Sequence, residues 1–106
     1  MLNIQGLMKQ AQMMQERMRQ TQEKLGEEER EGTSGGGLVK ITLNGRHEMK
    51  KITISPEIVN TDEVDVLEDM VLAAYNDAHQ KIDQMQEEGM KEATGGVNFG
   101  GLKIPF

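Results

Sequence analysis

The chain has 106 residues, a formal net charge of −6, nine methionines, one tyrosine, two phenylalanines and no cysteine. That length holds one domain, and the absence of cysteine excludes a disulfide framework and any thiolate metal site. Methionine-rich and poor in aromatic residues, the core is thin and soft, and a small chain readily completes such a core by self-association.

The first residues, Met1 to Lys9, contain no continuous apolar run, so no secretory signal is expected, and no stretch approaches membrane-spanning length. The expectation is a cytoplasmic protein without a membrane partner. Charge is unevenly distributed. Residues 1–24 carry Lys9, Arg17, Arg19 and Lys24 against Glu16 and Glu23. Residues 38–54 carry Lys40, Arg46, Lys50 and Lys51 against Glu48, whereas from Glu57 to Glu92 acidic residues face only Lys81 and Lys91. The two ends of the chain are therefore electrically unlike.

From Leu2 to Leu25 the apolar residues follow a heptad: Ile4, Ala11, Met18 and Leu25 fill one position, Leu7 and Met14 the other, with Thr21 weakening the last turn. Glutamine and the four basic residues cover the rest. This predicts an amphipathic helix about 36 Å long, longer than a small sheet needs as cover, so that one end projects. Gly26 is expected to cap it. Glu27 to Glu31 follow, and the cluster Gly32–Gly37 then reads as a flexible connection into the hairpin, without the spacing or the lysine of a phosphate-binding loop.

Leu38 to Ile54 is the strongest signal in the chain. Two β-branched alternating runs flank Asn44-Gly45, the pattern of a hairpin with a type I′ turn. Val39, Ile41 and Leu43 share one face, as do Ile52 and Ile54. A strict two-residue turn would pair Ile41 with Glu48 and Val39 with Lys50, placing charge opposite core residues. Either a bulge or longer turn near Arg46–Met49 repairs this, or the hairpin tip projects beyond the core.

Pro56 ends the second strand. Asn60 with Glu63 three residues on forms an N-terminal helix signature, and Val64, Leu67, Val71, Ala74, Ala78, Ile82 and Met85 define an amphipathic second helix. Met70 and Tyr75 widen its stripe, while Ala73, Ala74 and Ala78 permit close approach of another element. The helix should fade near Gly89 and end by Gly95-Gly96, leaving a glycine-rich tail, residues 97–106, that is disordered or docked through Phe99, Ile104 and Phe106. The predicted architecture is α+β: helix, small antiparallel sheet, helix, in a single domain over residues 1–96.

No enzyme chemistry is visible. His47 and His79 read as isolated surface histidines, Asp65, Glu68 and Asp69 as an acidic solvated face, and Ser34 and Ser55 lack an activating partner. No metal, cofactor or small-molecule substrate is expected.

Three blocks carry a resemblance: Leu7–Met18 (LMKQAQMMQERM), Gly37–Gly45 (GLVKITLNG) and Leu67–Ala78 (LEDMVLAAYNDA). In this order and spacing, with the closing Lys-Ile-Pro-Phe, they resemble the YbaB/EbfC family of bacterial nucleoid-associated proteins across nearly the whole chain. The resemblance implies a tweezer-like homodimer whose N-terminal helices project as arms, and binding to double-stranded DNA with a role in chromosome organisation or expression. The family's extra strand, leading out of the first helix into the sheet, falls here on Glu28-Glu29-Arg30-Glu31, which lacks alternating apolar residues; it is expected to be short or mobile. The DNA-binding residues on this reading are Lys9, Gln12, Arg17, Arg19, Lys24, Lys40, Arg46, Lys50 and Lys51, with the acidic second helix facing away from DNA. The dimer interface falls on Leu67, Met70, Val71, Ala74, Tyr75 and Ala78. The rival reading is a prefoldin-like helical adaptor or chaperone subunit that does not bind DNA.

Overall fold

The computed structural model describes residues 3–93; the tail and its apolar residues Phe99, Ile104 and Phe106 lie outside them. The order of elements is α1 (Ile4–Glu27), β1 (Glu29–Ser34), β2 (Val39–Asn44), β3 (Met49–Ile54), a short 3-10 turn (Pro56–Ile58) and α2 (Val64–Ala93). The strands form one antiparallel sheet in the order β1-β2-β3. The molecule is elongated, 75 × 25 × 17 Å.

The core lies between one face of β2 and the inner stripe of α2. Val39, Ile41 and Leu43 are fully buried with Ala74, Ala78 and Ile82, and Leu25, Met85 and Met90 extend the cluster beyond the hairpin end. Each face of a strand takes every second residue, so this set follows from the alternation in β2 and the three-and-four spacing in α2. Among the described residues, no helix is long and apolar enough to cross a membrane.

The segment expected to be a flexible connection, with at most a short or mobile strand, is a full one. β1 pairs with β2 along its whole length, from Glu29 opposite Asn44 to Ser34 opposite Val39. It carries no large apolar side chain; its place is held by backbone. A methyl group on Gly32 would overlap Ala78 N and Ala74 O and lie 2.6 Å from Ala78 Cα, so the absent side chain lets α2 settle directly on the strand. The open edge of β1 is occupied by α2 as well. Thr33 N donates to Asp77 Oδ2 at 2.9 Å, Lys81 Nζ donates to the Glu31 carbonyl at 3.1 Å, and Ser34 Oγ donates to the Met70 carbonyl at 2.6 Å. These contacts engage two outward backbone groups of the edge strand and make it a poorer template for another chain. Gly35, Gly36 and Gly37, all at positive φ, then turn the chain into β2.

The hairpin turn is longer than the two-residue type I′ form. Its positive φ belongs to His47 (63°), not to Asn44 or Gly45. Asn44 N donates to the Glu48 carbonyl at 3.0 Å and His47 N to the Asn44 carbonyl at 2.9 Å, leaving a three-residue loop that closes with a residue in the left-handed region. The buried Asn44 side chain holds this loop, accepting from Arg46 N and Glu48 N and donating to Glu48 Oε1. A bulge after Thr42 then brings Ile41 opposite Ile52 and Val39 opposite Ile54, so the longer turn and the bulge together resolve the register. Gly45 serves close approach instead: a methyl there would overlap the Leu25 carbonyl oxygen and lie 2.7 Å from its carbon.

Both helix ends differ from expectation. Gly26 is buried inside α1, which continues to Glu27, and the Arg46 guanidinium of the hairpin loop lies over it. Asn60 closes a turn ahead of α2, its Oδ1 accepting from Asp62 N, and the Glu63 carbonyl accepts the first helical bond, from Leu67 N. α2 runs through Gly89, against which Leu25 packs, as far as Ala93, the last described residue.

Candidate nucleic-acid interface

Of the basic residues expected to contact DNA, Lys9, Arg17, Arg19 and Lys24 lie on α1, Arg46 in the hairpin loop, and Lys40, Lys50 and Lys51 on the sheet. Asn3 caps α1, its Oδ1 accepting from Gly6 N at 3.1 Å. Only the last turns of α1 pack on the body: Leu25 and Gly26 are buried and Met18 is half-buried, whereas Ile4, Leu7, Met8, Met13 and Met14 are exposed. The helix therefore projects, carrying exposed Lys9, Gln12, Arg17 and Lys24. Arg17 and Lys24 stand seven residues apart, in one row along the helix.

Arg19 differs from its neighbours. It is exposed, but its guanidinium is ion-paired with Glu16 and, at 2.6 Å, with Glu23. The hydrogen bond from Arg19 holds the Glu16 carboxyl below its ordinary range, and Glu16 in turn raises Arg19. These i,i+3 and i,i+4 pairs mean that Arg19 reaches a phosphate only by giving up two carboxylates. Lys9, Arg17 and Lys24 form no ion pair among the described residues, so the heptad position that placed Arg19 in solvent did not by itself reveal its engagement.

On the sheet, Lys40 and Lys51 point away from α2: Lys40 pairs with Thr53 and Lys51 with Thr42, the alternate positions to the buried set. Lys50 lies in the bulge and is exposed. Arg46 extends from the hairpin loop across the C-terminal turn of α1, where a methyl on Gly26 would meet its Cζ at 3.2 Å. A cation there complements the negative end of the helix dipole. Its neighbour Glu48 is held below the usual carboxylate range, first by the Asn44 side-chain bond and then by Lys50. The arm, the loop at its root and the solvent face of the sheet thus hold these cations, with Glu29 and Glu31 of β1 on the same sheet face, while α2 carries eight of the eighteen acidic residues.

A model of the YbaB/EbfC DNA-binding family matches residues 1–97. The chain belongs to that family. It is 45% identical to a nucleoid-associated protein of Granulibacter bethesdensis, over the full length of both chains. It is also 49% identical to a nucleoid-associated protein of Caldanaerobacter subterraneus, over 94% of this chain and 90% of the relative. A crystal structure of an uncharacterized Helicobacter pylori protein superimposes with a TM-score of 0.73 at 19% identity, covering 90% of this chain and all of the other. That likeness establishes a shared fold. Family membership favours DNA binding over the adaptor reading and agrees with the lack of an enzymatic constellation in the sequence.

The residues expected at a dimer interface divide. Ala74 and Ala78 are fully buried against the protomer's own β1, so the close approach they permit is already taken up within one chain. Leu67, Met70, Val71 and Tyr75 are half-buried. The larger exposed apolar residues are elsewhere: Met49 and Ile52 on β3, Val64, Val66 and Leu72 on α2, and the methionine-rich arm.

His47 and His79 are not isolated. The hairpin loop packs on α2 and brings both rings to Asp83, a juxtaposition that residues 32 positions apart cannot announce in sequence.

Proposed function

We propose that the protein binds double-stranded DNA as a homodimer in the bacterial nucleoid, using α1 and the solvent face of the hairpin as its contact surface. The observation that carries this reading is the segregation of charge on a fold of the YbaB/EbfC DNA-binding family. Exposed Lys9, Arg17 and Lys24 stand on a projecting arm, Arg46 at its root, and Lys40, Lys50 and Lys51 on the sheet. Lysine and arginine contacts to phosphate supply sequence-independent affinity, and Gln12 can add hydrogen bonds to the backbone or a base edge. Arg19 contributes as an exchangeable contact, once a phosphate displaces Glu16 and Glu23. With net charge −6, binding is modest and salt-sensitive, and α2 faces away from the polyanion.

Dimerisation is supported by the apolar surface that one protomer leaves open. α2 covers the β1–β2 half of the sheet, whereas Met49 and Ile52 on the β3 side remain 48% and 45% exposed. A small core gains most by covering such a face.

The deciding experiment is a gel-shift titration on random-sequence duplex DNA at low salt, repeated as salt rises, with light scattering on the same sample. Retarded complexes that weaken steadily with salt, formed by a species of twice the chain mass, are expected. Failure to bind at low salt would remove the DNA reading, and a monomer at micromolar concentration would remove the dimer.

A further inference from the structure

The geometry points to a divalent transition-metal site of the zinc type, formed by His47, His79 and Asp83. His47 Nε2 lies 3.1 Å from Asp83 Oδ1, and His79 Nδ1 lies 3.1 Å from Asp83 Oδ2. One donor atom from each residue falls within 4.8 Å of the other two. Zinc bonds of 2.0–2.1 Å in a tetrahedral arrangement separate neighbouring donors by about 3.3 Å. Each histidine meets a different oxygen of Asp83, so one separation is already close to that value whichever oxygen serves as the donor, and side-chain rotations bring in the others.

Three features favour a metal over a simple hydrogen-bonded triad. His79 and Asp83 are one turn apart on α2, the spacing that sets two ligands side by side on a helix. The third ligand comes from another element and is held there by backbone: His47 has φ 63°, and its N–H donates to the Asn44 carbonyl. The rings of His47 and His79 stack at 4.5 Å and each meets one oxygen of the same carboxylate, so the three side chains lie within reach of one ion. Two imidazole nitrogens and one carboxylate oxygen suit zinc, cobalt or nickel and not magnesium, which prefers an all-oxygen shell. The side chains are 34%, 42% and 56% exposed, so water fills the remaining positions. The acidic surface of α2 draws in a cation. Bound there, the ion ties the hairpin loop, and with it Arg46 at the root of the arm, to α2.

The site is independent of DNA binding and is tested without it. The full chain, free of any affinity tag, is titrated calorimetrically with zinc chloride, and cobalt(II) is followed by its visible absorption. One ion per chain is expected, with a rise in melting temperature that magnesium does not reproduce. His47→Asn keeps a residue tolerant of the left-handed region, and His79→Gln and Asp83→Asn keep the helix. Each should remain folded by circular dichroism and bind zinc at least about 10-fold more weakly. Wild-type protein that takes up no zinc would overturn the proposal. So would His79→Gln and Asp83→Asn variants that bind as tightly as wild type, or an equal melting shift with magnesium.

Discussion

Gly32→Ala asks for one methyl group where the backbone of α2 already stands. The added carbon would meet Ala78 Cα at 2.6 Å and overlap Ala78 N and Ala74 O, none of which can rotate away. Carbon atoms in contact rest at about 3.5–4.0 Å, so α2 must retreat from β1 by roughly 1 Å. A gap of that size forfeits up to about half of each dispersion attraction across the interface. The layer affected is the core itself, where Ala74, Ala78 and Ile82 meet Val39, Ile41 and Leu43. Overpacking by a methylene costs about 1–3 kcal/mol where side chains can adjust, and a backbone obstacle belongs at the upper end. A loss of about 3 kcal/mol is a large part of the 5–15 kcal/mol typical of a domain, and corresponds to a fall in melting temperature of about 12 °C or more. Thermal and urea unfolding followed by circular dichroism measure it. The control is Gly36→Asn, where nothing lies within 4 Å of the added carbon and asparagine tolerates the positive φ. If Gly32→Ala melted within about 2 °C of wild type, the direct seating of α2 on β1 would be wrong.

Changing Arg17 and Lys24 together to Glu should leave melting almost unaltered, since exposed charges contribute little to stability. The magnitude of the DNA log–log salt slope should fall by about 0.9 for each phosphate no longer neutralised; if only the matching Lys50 and Lys51 variant is impaired in binding, the sheet rather than the arm is the contact surface. Arg19→Glu should lower helix content slightly, because it sets like charges beside Glu16 and Glu23, and unchanged helicity would mean that the two ion pairs have no consequence in solution. Asp77 is held below its ordinary range by the Thr33 N–H and then by Lys81, so its stabilisation is present above the unfolded value of about 4 and lost as pH falls through the lower folded value. Asp77→Asn should accordingly melt below wild type at neutral pH, with the two curves converging by about pH 2; a constant gap would show that the charge plays no part. Val71→Asp places an unpaired carboxylate against the core and should unfold or dissociate the protein; unaltered mass and melting would refute its burial.

The elements with an apolar period were legible in the sequence, and those held by backbone were not. The alternation of β2 and the stripe of α2 mark the faces that are buried, because burial of side chains is what periodicity records, whereas the heptad of α1 gave the helix but is buried only at Met18 and Leu25. β1 reads Glu-Arg-Glu-Gly-Thr-Ser and records nothing of the kind. Its place depends on a missing Cβ at Gly32 and on Asp77 and Lys81, more than forty residues away. The turn shows the same limit: Asn-Gly marks a reversal, but Gly45 is taken up by the close approach of Leu25 and the positive φ falls on His47. For the binding surface, residue type was readable from charge. Which cations are free needed the helix spacing as well: Arg19, unlike Arg17, has carboxylates three residues before it and four after, the signal that counting charges passes over. His47 and Asp83 share no local pattern, and only the folded loop joins them.

Because α1 is anchored through its last two turns alone, it behaves mechanically as a lever about 36 Å long with its fulcrum at the Leu25–Gly45 contact. A rotation of only about 5° at that point sweeps the tip through roughly 3 Å, close to the rise of one base pair. Small adjustments among Leu25, Gly45 and Gly89 therefore displace the tip of the helix, and with it the row of Arg17 and Lys24, with little repacking of the core.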